Sequence, residues 1–301
     1  MPIDLIIPSS FTSNLPSLMQ RSMAAAAIAR AAAIFKVDTI YIYPDPLERA
    51  SEARRQVAKI LKYMNVAPYL RKHLFGIDRD LEYVGLLPPL RTPLHKEKVP
   101  LRELVLPDYR EGVVVKSSSD YSVVDVGLDK PAVVEGKLHR GKHVIVRINK
   151  VSSTYLRAEL VDREDIPVYP GYRVVNVKTK VVDFLKQYDG KLIFTSRRGV
   201  GIWEVKDKIA SLLDGRIGLV FGGPNYGVFE ILEHYGVSPY DFSDLVVNVV
   251  PDQGVATIRV EEAVIITLAI LAMINAMRGG ADRWRGAVAA EEEEGREEAE
   301  G

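Results

Sequence analysis

Two kinds of hydrophobic pattern alternate along this chain, and their order constrains the fold more than any single motif. In the first 90 residues, β-rich runs (DLIIPS, TIYIYP) alternate with helical patterns (QRSMAAAAIARAAAIF, ERASEARRQVAKILKYM). This alternation is typical of an α/β domain. It returns after residue 175, where KLIFTS (191–196), IGLVFGG (217–223) and DLVVNVV (244–250) predict strands separated by helices near 204–213 and 226–235. Nearly continuous Val, Ile and Leu runs favour parallel strands covered on both faces.

Residues 92–165 interrupt this alternation. The segment contains five short β-rich runs, GVVVK, YSVVDVG, PAVVEG, HVIVRI and YLRAELV, separated by Gly, Pro and Asp. Such strands predict a small all-β barrel, for which an OB-like fold is one candidate. Because α/β segments flank it, we expect an inserted domain, with residues 1–91 and 166–280 forming one discontinuous α/β domain.

A very apolar helix is predicted from about residue 260 to 277. Its longest apolar stretch, Ala263 to Ile274, has 12 residues, whereas a membrane span needs about 17 to 25. We therefore expect a buried helix and no membrane partner. Its apolar residues are more numerous than one sheet face needs, which predicts packing against a second subunit.

Composition and charge exclude several classes of function. The chain has no cysteine, which excludes disulfides, cysteine-ligated zinc and a cysteine nucleophile. Together with an N-terminus that lacks a signal-peptide pattern, this fits the cytoplasm. Residues 281–301 carry eight acidic and three basic side chains in a chain of zero net charge. They are predicted to form a disordered acidic tail on a mildly basic body.

Candidate ligand-binding loops follow the three strands of the second half. They are FTSRRG (194–199), FGGPNYG (221–227) and NVVPDQGVATIR (248–259). Ligands bind at the carboxyl ends of strands in open α/β sheets, so the three loops are expected to form one pocket. Gly222 and Gly223 allow close approach to a ligand, although Gly-Gly-Pro is equally typical of an ordinary turn before a helix.

Two familiar cofactor motifs and a metal site are not supported. No G-x-G-x-x-G follows a strand, and GKLHRGK (136–142) precedes His143 and a strand instead of the hydroxyl residue and helix of a P-loop. His139 and His143 lie in a Gly-containing strand region and not on one helix face, so their spacing does not indicate a metal site.

A basic stretch marks the predicted barrel. No acidic residue occurs between Gly136 and Lys150, and the five cations there are Lys137, Arg140, Lys142, Arg147 and Lys150. With Tyr121 or Tyr155 as a stacking surface, this basic strip predicts RNA or DNA contact. The alternative is a solvated barrel face, because residues 92–165 carry 13 basic and 12 acidic side chains.

Seven segments spread over nearly the whole chain together carry a family pattern. They are IARAAAIFKVDTI (28–40), APYLRKHLF (67–75), GLLPPL (85–90), REGVVV (110–115), TSRRG (195–199), LVFGGP (219–224) and VNVVPDQGVATIRVEEA (247–263). In these segments the chain resembles the SPOUT class of RNA methyltransferases, specifically the archaeal and eukaryotic RNA N3-uridine methyltransferases with an inserted barrel. The resemblance implies a trefoil-knotted methyltransferase domain and S-adenosylmethionine as methyl donor. It also implies an rRNA substrate, and a homodimer through the knot region, the final helix and the Ala-rich helix.

The resemblance further implies which residues line the cofactor or enclose its adenosine. They are Thr195, Arg198, Gly222, Gly223, Asn248, Val249, Val250, Gln253, Gly254, Thr257 and Ile258. Arg197 and Asp252 depart from the family's pattern.

Methylation of uridine N3 requires loss of a proton, and a nearby cation stabilises the resulting anion. Arg198 is the candidate catalytic cation, and Glu262 is the candidate proton acceptor or cofactor-orienting group. Glu262 lies in the first turn of the predicted final helix, where a carboxylate also stabilises the helix dipole, so a purely structural role is the alternative. The sequence contains no unambiguous general base. This leaves open a non-catalytic RNA-binding or ribosome-assembly factor on the same fold, and a ribose 2′-O-methyltransferase.

Overall fold

A computed structural model describes residues 2–48 and 51–280 of the chain, and the predicted acidic tail at 281–301 lies outside them. The described chain divides into two compact units. Residues 2–14, 41–48 and 177–280 form the sheet unit, and residues 15–40 and 51–176 form the barrel unit. Two long helices near the N-terminus therefore belong to the same unit as the barrel.

The secondary structure of the described residues follows the predicted order. The strands are β1 (Ile3–Pro8), β2 (Thr39–Tyr43), β3 (Asp108–Ser117), β4 (Tyr121–Asp125), β5 (Ala132–Glu135), β6 (His143–Val151), β7 (Leu156–Leu160), β8 (Arg173–Asn176), β9 (Lys191–Gly201), β10 (Ile217–Val220) and β11 (Val246–Asn248). The α-helices are α1 (Leu18–Ile34), α2 (Ser51–Asn65), α3 (Arg71–Leu74), α4 (Val181–Gln187), α5 (Lys206–Leu212), α6 (Val228–Glu233) and α7 (Val260–Asn275).

Parallel strands organise the sheet unit, which confirms the α/β prediction. Their order is β11-β9-β10-β1, with β2 next to β1, and each neighbouring pair among the first four is parallel. All residues of β1 and β10 are buried, as expected for apolar strands covered on both faces. Side chains of α4 and α6 pack with Phe194 and Val220 in one hydrophobic core.

Strand β9 is longer than the apolar pattern indicated, because it continues to Gly201 instead of ending at residue 196. Its pairing with β11 is interrupted: Val246 lies opposite Phe194, but the next residue, Val247, lies opposite Val200. Residues 195–199 therefore lie outside this ladder, as an enlarged bulge does. The first predicted loop is thus an excursion within a strand, which the hydrophobic pattern does not encode.

The five predicted β-rich runs form a closed barrel in the order β3-β4-β5-β7-β6, which confirms the all-β prediction. Neighbouring strands are antiparallel except β5 and β7, which are parallel. Alternate residues of β6, namely Val144, Val146 and Ile148, are buried in the barrel core. This period of two places the intervening residues on the outer face.

Helices α1 and α2 pack on each other in the barrel unit. Helix α1 begins after Ser17, which forms a capping box with Gln20. The Nη1 of Arg21 donates to Oε1 of Gln56 across the helix pair at 3.1 Å. Helix α2 buries one face, including Val57, Ile60 and Leu61, and leaves a polar face outside.

Helix α7 buries one face and exposes apolar side chains on the other. The buried positions recur every three or four residues: Val260, Val264, Thr267, Leu268, Leu271 and Ile274. Ile265 and Met273 are exposed, and so is Met277, two residues beyond the end of the helix. By length and composition, Val260–Arg278 is long and apolar enough to cross a membrane, and 33% of its most apolar window is buried. The helix is therefore less buried than the sequence predicted.

Candidate active site

The three loops that the sequence singles out line one cavity in the sheet unit. Thr195, Gly223 and Gln253, one from each loop, lie along its wall. The cavity has a volume of about 310 Å³, which is within the usual size range of small-molecule sites. The loops therefore form one concave site at the carboxyl edge of the sheet, where open α/β sheets bind ligands.

Most of the residues implied to bind the cofactor share this cavity. Those that line it are Thr195, Arg198, Gly222, Gly223, Asn248, Val249, Gln253, Thr257 and Ile258. Val250 and Gly254 belong to the third loop but not to the lining. The structure brings the set together, and the role of each residue stays a prediction.

The first loop is tied to its neighbours by two side chains. The Oγ1 of Thr195 donates to the carbonyl of Val220 at 3.1 Å. The guanidinium of Arg198 lies 4.0 Å from the ring centre of Phe229, and its Nη1 is 3.3 Å from Oε1 of Glu230. Stacking and ion pairing together orient the guanidinium.

Glu230 also lines the cavity, and the sequence reasoning missed it. It lies in the first turn of α6, three residues after Gly227. The signal was present, since an acidic residue in that position follows the second ligand-binding loop directly. By sequence alone, however, Glu230 cannot be distinguished from a carboxylate that only complements the helix dipole.

The glycines of the second loop are required by the protein's own packing. A Cβ on Gly222 would lie 2.7 Å from Cα of Gly227 and from the backbone nitrogen of Val228. A Cβ on Gly223 would lie 2.8 Å from Oγ of Ser10. Because backbone cannot yield cheaply at such distances, Gly222 is the more restrictive position. The turn interpretation thus accounts for both glycines even before a ligand is considered.

A buried polar cluster behind Gly223 was also missed. Ser10 is fully buried and Asp45 is 7% exposed, and Oγ of Ser10 donates to Oδ2 of Asp45 at 2.5 Å. The backbone N–H of Leu47 donates to Oδ1 of Asp45 at 2.9 Å. These groups follow β1 and β2, so the ends of two further strands support the second loop from behind.

Tyr43 fixes the start of the second loop. Its hydroxyl donates to the carbonyl of Phe221 at 2.7 Å. Burial, and secondly the charge of Asp45, raise the pKa of Tyr43 well above its usual value. The hydroxyl therefore remains a hydrogen-bond donor at all physiological pH values.

The third loop is hydrogen-bonded internally and to the first loop. The Nδ2 of Asn248 donates to the carbonyl of Arg197 at 3.2 Å, and Nη1 of Arg197 donates to the carbonyl of Ala256 at 3.0 Å. The Nε2 of Gln253 donates to the carbonyl of Val255 at 2.7 Å. Arg197, which departs from the family pattern, thus links the two loops here.

Glu262 does not line the cavity. Its Oε2 accepts a hydrogen bond from the backbone N–H of Arg259 at 2.8 Å. This bond caps α7 and satisfies one of the unpaired donors at the helix start. The geometry explains Glu262 by helix capping and places Glu230, not Glu262, beside Arg198.

The basic strip on the barrel is less uniform than the sequence indicated. Lys137, Arg140 and Lys142 are exposed in the β5–β6 connection, and Lys150 is exposed near the end of β6. Arg147 instead forms an ion pair with Glu159 on β7. A hydrogen bond with Tyr109 is the largest cause that raises the pKa of Arg147, with the charge of Glu159 next. Four of the five cations are therefore more accessible to a nucleic acid than Arg147.

Comparison with known proteins assigns the chain to a family. Residues 3–271 match the sequence model of a family described as "Putative RNA methyltransferase". The chain belongs to this RNA methyltransferase family. The description of this family names methyl transfer to RNA, a reaction that requires a methyl donor and an RNA acceptor.

Individual relatives extend the comparison. The chain is 32% identical over 306 residues to the 28S rRNA (uridine-N(3))-methyltransferase of Drosophila melanogaster, covering 89% of this chain and 61% of that protein. It is 32% identical over 310 residues to the human 28S rRNA (uridine-N(3))-methyltransferase, covering 89% and 77%. An uncharacterized Haloarcula marismortui protein is 29% identical over 291 residues, covering 91% and 99%. The chain thus spans less than two thirds of the fly protein.

Proposed function

We propose that this protein transfers a methyl group from S-adenosylmethionine to N3 of a uridine in ribosomal RNA. The observation that carries the proposal is one cavity formed by three loops at the carboxyl edge of a parallel sheet, in a chain of this family. The activity for which the fly and human relatives are named supports the choice of base and RNA.

The residues around the cavity fit a methyl donor that carries a nucleoside. Phe221, Val249 and Ile258 provide apolar surface, and Thr195, Asn248 and Thr257 provide polar groups. A wall that combines apolar surface with hydrogen-bonding groups suits a ligand that has a planar ring, a ribose and charged ends. S-adenosylmethionine supplies a methyl group on a sulfonium, so the protein's contribution is chiefly alignment.

Arg198 is the residue we assign to the substrate. In this reaction uracil releases its N3 proton to solvent, and a guanidinium beside the base stabilises the resulting anion, which accepts the methyl group. Glu230 and Phe229 hold that guanidinium and are positioning residues. Glu230 therefore acts through Arg198.

The rest of the architecture is proposed on the family resemblance. The loop at 248–259 and α7 would form the trefoil knot, and residues 1–91 with 166–280 the methyltransferase domain. The closed five-stranded barrel supports an OB-like, RNA-binding insert at 92–165. The exposed Ile265 and Met273 of α7, with Met277 just after it, support a homodimer contact, to which α1 would also contribute. A cytoplasmic enzyme without a metal completes the proposal.

Filling the cavity tests the cofactor assignment. Ala256 lines the cavity and is exposed, whereas its exposed neighbour Val255 does not line it. Ala256→Trp should weaken S-adenosylmethionine binding, measured by calorimetry, by at least about tenfold, or 1.4 kcal/mol. Val255→Trp is the matched control and should change affinity by less than about twofold. Equal affinities in parent and Ala256→Trp would contradict the site.

Mass spectrometry of rRNA nucleosides separates the proposed activity from its alternatives. Loss of N3-methyluridine in a deletion strain, restored by the parent gene but not by Ala256→Trp, is the expected result. Loss of a 2′-O-methylated nucleoside would identify a ribose methyltransferase. An unchanged nucleoside profile, with a defect in ribosome assembly, would identify a non-catalytic factor.

A further inference from the structure

A second and larger cleft lies in the barrel unit, on the polar face of α2. Its volume is about 620 Å³, against about 310 Å³ for the cavity of the sheet unit. One wall is α2, and the other is the segment from Leu74 to Leu81. No cofactor-binding or catalytic residue discussed above lies in it.

Four cations of α2 line this cleft: Arg54, Arg55, Lys59 and Lys62. Their spacing along the sequence places them on one side of the helix, away from most of the buried residues. Two acidic residues, Asp78 and Asp80, are close enough to offset part of this charge. The lining itself contains these four cations and one carboxylate, that of Asp78.

The acidic residues engage one cation more than the others. Lys59 Nζ is 2.5 Å from Oδ2 of Asp78 and 2.7 Å from Oδ2 of Asp80, and hydrogen bonds with these carboxylates raise its pKa. Arg55 reaches Asp80 only at 3.4 Å and with an exposed side chain. Lys62 is exposed and makes no salt bridge within the described part of the chain. Arg55 and Lys62 are thus the cations best placed to bind an external anion.

The charge of the surrounding segment points the same way. Residues 51–80 contain seven Lys or Arg and three Asp or Glu, whereas residues 92–165 contain 13 and 12. Lys72 and Arg79, outside the cleft, are also exposed. The segment around the α2 cleft therefore carries a net charge of +4, whereas residues 92–165 as a whole carry a net charge of +1.

The wall opposite α2 is apolar and aromatic. Leu74, Phe75 and Leu81 line it, and the ring of Phe75 packs edge-on against Tyr63 with centroids 5.2 Å apart. Ile77 at the tip of this segment is fully exposed. Cations facing an aromatic side chain across a groove are the arrangement by which proteins bind single-stranded nucleic acids.

We propose that the α2 cleft binds a single-stranded segment of the RNA substrate, with phosphates at Arg55 and Lys62 and an unpaired base against Phe75. The inference rests on the proposed function for the identity of the partner as RNA. Single-stranded RNA fits that function, because N3 lies on the pairing edge of uracil and a target uridine is accessible only when unpaired. The strand beside such a uridine is therefore free to enter a groove of this kind.

Salt-dependent binding of a labelled oligouridylate of about 12 nucleotides to the full chain tests the inference. The variant is Arg55→Gln with Lys62→Gln, and fluorescence anisotropy is measured from low to high salt. Each lost phosphate contact lowers the slope of log K against log salt by about 0.7 for a single strand, and thereby affinity at 0.15 M salt by about fourfold. The double variant should lose about 1.4 in slope and bind more than tenfold more weakly.

The control changes the same charge elsewhere. Lys178→Gln with Lys186→Gln removes two exposed cations of the sheet unit and should retain the parent slope. As a second measurement, photo-crosslinking with 4-thiouridine in the oligonucleotide should label the peptide that contains Phe75. An unchanged slope in the cleft variant, or crosslinks confined to other peptides, would overturn the inference.

Two further outcomes are distinguishable. If polyglutamate of matched charge binds as tightly as the oligonucleotide and shows the same loss in the cleft variant, the cleft is a general anion surface and the inference fails. Calorimetry with S-adenosylmethionine on the same variant should give the parent affinity. A parent protein that binds the oligonucleotide through the cleft but no S-adenosylmethionine would overturn the proposed function and leave the RNA cleft standing.

Discussion

The cavity of the sheet unit and the cleft of the barrel unit are both concave, but different parts of the chain build them. Three loops line the cavity, and their side chains mostly bond to protein backbone: Asn248 to Arg197, Arg197 to Ala256 and Gln253 to Val255. The cleft is lined by long cationic side chains on one helix. The first site therefore depends on backbone position, and the second on charge.

This difference determines how each site should respond to change. A site made from closely packed backbone tolerates no added Cβ where loops approach each other, and salt affects it little. A site made from exposed cations tolerates changes of shape but loses affinity as salt rises. Substitutions that separate packing from charge are the sharpest tests of this comparison.

The largest effect is expected at Gly222. Gly222→Val places carbon atoms where a Cβ already meets backbone of Gly227 and Val228 at 2.7 Å. We expect a loss of about 3 kcal/mol in the free energy of unfolding, measured in urea. Gly254→Val in the third loop is the control, because a Cβ there has nothing within 4 Å. Equal stability of the two variants would mean that the second loop is not held by packing.

Arg198 comes next and tests charge inside the cavity. Arg198→Ala should lower kcat/KM at neutral pH by about a hundredfold, since a cation that stabilises a developing anion contributes on this scale. The loss should shrink as pH rises, because free uridine then ionises at N3 without help. Glu230→Gln retains the Arg198 guanidinium but removes its ion-pair partner, and it should lower kcat by a smaller factor. A pH-independent loss in Arg198→Ala would indicate a packing role above Phe229.

The smallest effects are expected from substitutions in the basic strip of the barrel. Lys142→Gln should lower the salt slope of RNA binding by about 0.7 to 0.9. Arg147→Gln should change the slope less, because Arg147 is already paired with Glu159. If Arg147→Gln has the larger effect, RNA displaces Glu159 and the strip acts as the sequence predicted. If neither has an effect, the α2 cleft alone supplies the charge of the barrel unit.

The sequence predicts the site from the residues of the loops that follow its strands. Thr195, Gly223 and Gln253 were placed together because parallel strands end at one edge, and the structure puts all three on one cavity. The same reasoning missed Glu230 and Asp45, since an acid at a helix start or after a strand is common and carries no specific signal. The carboxylate of Glu262, a candidate for chemistry or for stabilising the helix start, caps α7, and its part in the reaction stays a prediction.

The length of β9 shows a different limit. Its apolar run ends near residue 196, but the strand continues to Gly201, because its pairing with β11 resumes at Val200 after an interruption. Pairing between distant segments decides where such a strand ends. Local hydrophobicity reports burial and not the partner, so this feature lies beyond a pattern read along the chain.

The sequence by itself determined the periodicity of its apolar residues. Continuous apolar runs form the parallel strands, which are buried on both faces, and alternating runs form the barrel strands, which are buried on one face. The tertiary structure alone decided which side chains are already engaged. Arg147 and Glu262 are tied to neighbours, while Arg55 and Lys62 remain exposed. A charge gains its function from the groups within a few ångströms of it, and those groups come from parts of the chain whose meeting only the fold defines.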